Sequence, residues 1–502
     1  MKRFDDLAKM FSAAFVAALL PATVSAQSCT WVSSTEGNTW QSTKVSLQSA
    51  AQQSPLWELN GSEEGTTFKA WGVTFNELDW DALCELTRDE QDDILDKVFS
   101  PAGDLNITLG RVSMNANDYA RSWYSCDEVE GDFHLKYFNI DRDKKAIIPF
   151  IRAAQKYNPD LTFWISPWCP PSWMKINKHY AVQSSKFNDL DPKCDFLLYE
   201  DGDRSENEMV NPDKNLFPRR LTVNDFFIQD PRYLQAYANY FCKFIDAYKE
   251  QGIPVTRVMY QNEAYSYTPY PGCAWTAEGT IRFNMEYLAP TLKEKHPEVE
   301  LYMGTFNTNR YDHVSQILSD PRMPANIKGV GFQWEGRQIL ARIRKEHPDY
   351  SYMCSESECG WGSFDWKGAE HTFELINHYL GNGCNEYNFW NMILCDNGES
   401  PWGWRQNALI RVDSKSRTAT FTPEYYAAKH YCHFVVKGSK VIGYVPAGKE
   451  NTPVLVVKSP QDKLVVIAGN LNDAARKITL KLGKRYLNAE LKPHSFNTFC
   501  VK

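Results

Sequence analysis

Val255-Thr256-Arg257-Val258-Met259-Tyr260-Gln261-Asn262-Glu263 is a short apolar run that stops on a polar pair. It is too short for a helix and carries β-branched residues, so it reads as a buried strand with loop chemistry at its C-terminal end. The segment before it reads as a helix. Asp230 suits an N-cap and Pro231 a first turn, and Gly252 stops the pattern. Between them Leu234, Tyr237, Ala238, Phe241, Phe244, Ile245 and Tyr248 make one apolar stripe. Helix then buried strand is the unit of a parallel α/β fold, and the unit recurs. Strand-like runs lie at Phe68–Phe75, Ile107–Met114, Leu161–Pro167, Val255–Asn262, Glu300–Thr305, Ile327–Gln333, Tyr350–Ser355 and Glu386–Asn391, with helical segments between. Eight such runs are what a closed (β/α)8 TIM barrel requires.

The 502 residues exceed what one barrel needs, and the surplus falls at the two ends. After His430 the pattern turns to alternation punctuated by turns, at Pro453–Lys458, Lys463–Ala468, Lys477–Leu482, Arg485–Leu491 and Ser495–Val501. Gln27 to about Ala50 has similar pieces. The expected organisation is therefore 27–65 as N-terminal strands, 66–430 as the barrel, and 431–502 completing an appended antiparallel β-sandwich built from both chain ends. Lys2 and Arg3, an apolar stretch from Met10 to Leu20, and Val24-Ser25-Ala26 read as an export signal over 1–26. That places the chain in the periplasm or outside the cell. Ser185 to Leu221 is a polar interruption between the third and fourth strands, expected to shape access to the barrel's functional face.

Composition excludes several classes. A net charge of -7 with no basic block argues against nucleic acid as a partner. Beyond the leader nothing reads as a membrane span. The 13 cysteines have neither zinc spacing nor a disulfide-framework pattern, so most are expected as buried thiols, with one or two pairings left open. No metal-ligand cluster appears, and no cofactor is implied. With 14% aromatic residues, including 16 Trp, the chain suits either a large core or a cleft that stacks on sugar faces.

Chemistry-bearing residues gather at the strand ends. Arg111 lies in the second strand and Asp118 follows it, Trp168 follows the third, Asn262 and Glu263 close the fourth, Gln333 and Trp334 the sixth, Glu356 follows the seventh and Trp390 stands at the end of the eighth. Two carboxylates on separate strand ends, Glu263 and Glu356, are the minimum equipment for hydrolysing a glycosidic bond. Glu358 rivals Glu356, because strand periodicity would face both the same way. The residues alone leave that choice open.

The motifs resemble those of glycoside hydrolase family 30. Arg-x-x-Met-x-x-x-Asp from Arg111, Ser-Pro-Trp-x-x-Pro-x-Trp-Met-Lys from Ser166, and Asn262-Glu263 match the family in its order. Phe-Asn-Glu-x-x-Trp from Phe75, Gly-Phe-Gln-Trp-Glu-Gly from Gly331 and Ser-Glu-x-Glu-Cys-Gly from Ser355 resemble its endo-β-1,6-glucanase branch. The resemblance implies a retaining mechanism with Glu263 as general acid/base and Glu356, the first of its pair, as nucleophile. Retention requires carboxyls about 5 Å apart. It further implies that Arg111 orients the nucleophile, Asn262 holds the sugar 2-hydroxyl and Asp118 binds hydroxyls of the glycone. Trp168 and Trp390 frame the sugar, and Gln333 and Trp334 add to the substrate-binding set. Gln333, Trp334 and Glu335 stand where the glucosylceramidase branch carries a different sequence, which argues against a lipid-linked substrate. The expectation is a monomeric enzyme cutting β-linked glucan from within. The alternatives are an exo-acting β-glucosidase or glucosylceramidase, a cellulase of a related barrel, and a non-catalytic carbohydrate-binding protein.

Overall fold

The computed structural model describes residues 28–52, 56–58, 65–194, 225–482 and 484–501. The expected leader (1–26) and the expected rim loop from residue 195 to 221 lie outside the described residues. Two compact units result, one spanning Phe68–Gly438 and the other joining Met1–Thr67 to Ser439–Lys502.

In the first unit, eight parallel strands close a barrel in chain order: Ala70–Phe75, Leu109–Met114, Thr162–Pro167, Val255–Val258, Glu300–Phe306, Gly329–Gln333, Ser351–Glu356 and Glu386–Phe389. The eighth closes on the first, with Asn388 opposite Gly72. Leu109–Met114 is buried at every position, as a strand covered on both faces must be. Gly110 allows this packing, because a Cβ there would lie 2.5 Å from the Phe163 ring. The fourth strand ends at Val258, earlier than the apolar run suggests. Beyond it the chain still follows the third strand, through Met259 N–H to Ile165 O at 2.9 Å and Asn262 N–H to Pro167 O at 2.7 Å, without a regular ladder.

The helix over Pro231–Glu250 is capped by Asp230, whose carboxylate accepts from the Arg232 N–H at 2.8 Å. Inside the barrel, Leu109, Trp164, Met259, Tyr302 and Met353 form one apolar layer. A small sheet of Ile393–Cys395, Ile410–Asp413 and Thr418–Phe421 follows the eighth strand. The helix Pro423–Cys432 then carries this unit past residue 430. No described helix is long and apolar enough to cross a membrane.

The second unit is a sandwich built from both chain ends. A seven-stranded sheet includes Ser28–Thr35 and Asn38–Ser46 from the N-terminal side, and Lys440–Val445, Val454–Lys458, Leu464–Asn470 and Ser495–Val501 from the C-terminal side. A three-stranded sheet faces the same core, in which Val456, Val466, Ile478, Leu480, Leu487 and Phe499 pack together. One pairing departs from the antiparallel expectation: Leu56–Glu58 runs parallel to Arg476–Leu482. All thirteen cysteines are free thiols.

Candidate active site

The loops at the C-terminal ends of the barrel strands enclose a cleft of about 370 Å³. Asp118, Trp168, Asn262, Glu263, Trp334 and Glu356 line it, all of them singled out by the sequence. Arg111, Gln333 and Trp390 do not line it. They stand behind its wall and act on the residues that do.

Arg111 organises the floor. Its side chain is fully buried on the second strand, between the rings of Trp164 and Trp168, with its guanidinium carbon 4.7 and 4.3 Å from their centres. It donates through Nη1 to Glu356 Oε2 at 2.6 Å, through Nη2 to Asn262 Oδ1 at 2.8 Å, and to Ser166 Oγ at 3.0 and 3.2 Å. The other oxygen of Glu356 accepts from the Trp334 indole N–H at 3.0 Å. Both oxygens of this carboxylate are therefore held by donors. Charge-assisted bonds of that kind favour the ionised form. Burial opposes them and pushes Glu356 up to about 7, with the neighbouring Glu263 adding to the rise and Arg111 restraining it.

Glu263 is held differently. Its backbone turns into the left-handed region (φ 49°) five residues past the end of the fourth strand, as does that of Trp334 (φ 49°) directly after the sixth, and the Glu263 N–H donates to Thr305 Oγ1 at 3.1 Å. Gln333 Nε2 meets Oε1 at 3.3 Å, and Ser266 Oγ meets Oε2 at 3.0 Å. Gln333 also donates to Asn262 Oδ1 at 3.2 Å. A continuous polar chain thus runs from Glu263 through Gln333, Asn262 and Arg111 to Glu356. Gln333 is itself fixed by the Ser355 hydroxyl, which donates to its Oε1 at 2.9 Å. The two carboxylates share one polar network and one cleft.

Asp118 is buried, and its Oδ1 finds no hydrogen-bond partner among the described residues. Burial, then the charges of Glu356 and Glu263, push its carboxyl well above the ordinary range. A buried acceptor facing a cleft without a partner is suited to sugar hydroxyls. Trp390 stacks behind Trp168 at 5.1 Å between ring centres and donates its indole N–H to Gln406 Oε1 at 2.7 Å.

Glu358 is not turned toward the cleft. The seventh strand ends at Glu356, so the two-residue periodicity that would align the pair does not extend to Glu358. Arg337 holds one of its oxygens at 2.9 Å and His371 the other at 2.8 Å. Trp173 is core, with its indole N–H on Asp127 O at 3.0 Å. His179 pairs with Asp189 and stacks on Tyr180, and none of the three lines the cleft.

Several cleft residues stand outside every motif singled out in the sequence, among them the loop from Tyr265 to Tyr270 and, after the seventh and eighth strands, Trp361, Trp404 and Gln406. Gln406 Oε1 accepts from both Trp390 Nε1 and Asn391 Nδ2, at 2.7 and 2.9 Å, which orients the amide and leaves its NH2 for a ligand. The Trp402-Gly403-Trp404 stretch was the available hint, an aromatic cluster in a loop after the eighth strand.

Residues 68–188 and 228–435 match the model of the glycosyl hydrolase family 30 TIM-barrel domain. Putative glucosylceramidase 3 of Caenorhabditis elegans is 27% identical over 408 residues, covering 76% of this chain and 69% of that protein. Endo-1,6-beta-D-glucanase of Neurospora crassa is 22% identical over 394 residues, covering 75% and 72%. A solved endo-beta1,6-glucanase structure superposes with a TM-score of 0.74 at 20% identity, over 94% of this chain and 99% of that one. The barrel, the strand-end carboxylates and the matched domain lead to one assignment: the chain is a glycoside hydrolase and belongs to glycosyl hydrolase family 30.

Proposed function

We propose that this enzyme cleaves β-1,6-glucan internally and with retention, using Glu356 as nucleophile and Glu263 as acid/base. The observation that carries the assignment is the unequal holding of the two carboxyls. Glu356 is gripped at both oxygens by donors, neither of which accepts a proton in return. Glu263 faces a hydroxyl, Ser266 Oγ, which accepts as readily as it donates and is backed by Asn307 Nδ2 at 2.7 Å. The acid/base of the pair must bring a proton to the leaving oxygen, and Glu263 is the carboxyl with a partner able to accept from one.

The steps then follow. A Glu356 oxygen attacks the anomeric carbon as the bond to the leaving sugar oxygen breaks, and that oxygen takes the Glu263 proton. The product is a glycosyl ester on Glu356 and an ionised Glu263. Water enters from the face the leaving group vacated and gives its proton to Glu263. Attack on the anomeric carbon then releases Glu356 as carboxylate. Asp118 and Gln406 offer polar groups for the glycone hydroxyls, and Asn262, oriented by Arg111 and Gln333, is placed for the 2-hydroxyl.

The β-1,6 linkage is supported by relatives named as endo-1,6-glucanases and by Gln333-Trp334-Glu335, of which Trp334 bonds the proposed nucleophile and Glu335 lines the cleft. The second reading, an exo-acting glucosidase or glucosylceramidase, is favoured by relatives named putative glucosylceramidases. Linear β-1,6-glucan separates them. Release of a ladder of oligomers, β-anomer first by proton NMR, agrees with the proposal. Glucose as the sole early product supports the exo reading, and inertness toward the glucan with release of glucose from glucosylceramide removes the substrate while keeping the mechanism.

A further inference from the structure

Trp361 is 56% exposed, an unusual setting for a large indole, and it lies on the rim of the catalytic cleft. Its presentation is rigid. Gly360 and Gly362 on either side adopt left-handed backbone (φ 61° and 79°). A Cβ at Gly360 would lie 2.7 Å from the Asn407 amide nitrogen, and one at Gly362 would lie 2.3 Å from Asn397 O. Asn407 clamps the turn, with its N–H on Cys359 O at 2.6 Å and its Oδ1 accepting from the Phe364 N–H at 3.2 Å. Its amide nitrogen in turn is tied to the buried Glu424 at 2.8 Å. Trp404 braces the exposed indole edge-on, ring centres 5.1 Å apart and planes at 64°. The Trp404 backbone carbonyl accepts from the Tyr119 hydroxyl at 3.3 Å, and Tyr119 adjoins Asp118.

These contacts make one wall. Asp118 and Gln406, the groups proposed above for the glycone hydroxyls, line the cleft, Trp404 is two residues from Gln406, and Trp361 stands next to Trp404. Asp118, whose unpartnered oxygen suits hydroxyls of the glycone, ties the wall to the glycone side through Tyr119, while Tyr270 of the loop after Glu263 packs on Trp404, ring centres 6.2 Å apart. We infer that Trp361 is the stacking platform for the sugar joined to the glycone on its non-reducing side, and that it sets the preference for chains over single glucosides. The apolar face of a pyranose covers an indole face, and the indole is held in place before binding, so little side-chain freedom is lost on stacking. The inference rests on the glucan reading above and adds a residue to it. A glycone pocket that continues into such a platform is built for a chain interior.

The test compares kcat/KM on 4-nitrophenyl β-gentiobioside, which presents two β-1,6-linked glucose units, with that on 4-nitrophenyl β-glucoside, which presents one. The full chain is used as wild type, Trp361→Ala and Trp361→Phe. The wild type is expected to prefer the gentiobioside, and Trp361→Ala to reduce that preference about tenfold, equivalent to 1.4 kcal/mol. Trp361→Phe, which keeps a ring, is expected to restore most of it. A preference that survives Trp361→Ala overturns the platform, and if β-1,6-glucan is still cut to oligomers the glucan reading stands. A wild type that prefers the single glucoside overturns the platform and the endo mode together.

Discussion

Two buried arginine–glutamate pairs sit inside the same barrel, and they are built for different ends. Arg111–Glu356 lies at the C-terminal mouth, and Arg257–Glu386 involves the start of the eighth strand at the opposite end. Each guanidinium lies over an aromatic ring, Arg111 over Trp168 at 4.3 Å and Arg257 over Tyr302 at 4.0 Å. The difference is in how the donors are spent. Arg257 gives both Nη1 and Nη2 to the two oxygens of Glu386. Burial works against its charge, yet Glu386 and its neighbours win and hold Arg257 above its ordinary value. Arg111 divides its donors among Glu356, Asn262 and Ser166, and there burial wins, leaving it below its ordinary value. A pair closed on itself is structural. A pair that shares its donors leaves the carboxylate anchored, facing the cleft and near its titration point.

Glu356→Gln is the largest break of this symmetry. Removing the proposed nucleophile is expected to lower kcat by on the order of 10⁴-fold or more. Glu386→Gln leaves kcat within a few-fold and is read instead as a lower unfolding midpoint. Equal losses of kcat from the two would erase the distinction. Glu263→Ala comes next, with a loss of about 10² to 10⁴-fold on natural linkages. Azide is expected to restore turnover of an activated aryl glucoside and to give the β-glucosyl azide, identified by NMR. An α-azide, or no rescue, would speak against Glu263 acting on a glycosyl–enzyme ester.

The arginines sharpen the comparison through stability and pH. Removing one partner of a buried pair costs about 3–5 kcal/mol, so Arg111→Met and Arg257→Met are both expected to destabilise in urea unfolding. Only Arg111→Met should move the acid limb of kcat/KM. In the proposed role Glu356 must be ionised to attack, so activity is expected to fall as pH drops through about 7 in the free enzyme. Arg111 restrains that value, and its loss shifts the limb to higher pH. The smallest effect has the opposite sign. Glu263 adds to the rise at Glu356, so Glu263→Gln should lower the titration of the Glu356 carboxyl, followed by ¹³C NMR. An unmoved titration would deny the coupling between the two.

The barrel was legible in the sequence because strands buried on both faces are written as short, mostly apolar runs, such as Leu301 to Met303. Asn262, Glu263 and Glu356 were legible because they stand at the ends of such runs, and Arg111 through the motif it opens. Lys440–Val445 was not, since Gly443 and a register shift break its alternation. Glu358 was ambiguous because periodicity was carried past Glu356, where the strand stops. Trp361, Trp404 and Gln406 come from loops without any period, and only the folded chain brings them to the cleft.

The most direct test of Glu356 as nucleophile is to trap the ester. A 2-deoxy-2-fluoro-β-glucoside with a good leaving group slows both chemical steps, the second more, so that the intermediate accumulates for peptide mass mapping. The predicted result is a single fluoroglucosyl adduct on Glu356 and recovery of activity as it turns over. An adduct on Glu358, or no adduct with α-anomer as the first product from the glucan, would contradict it.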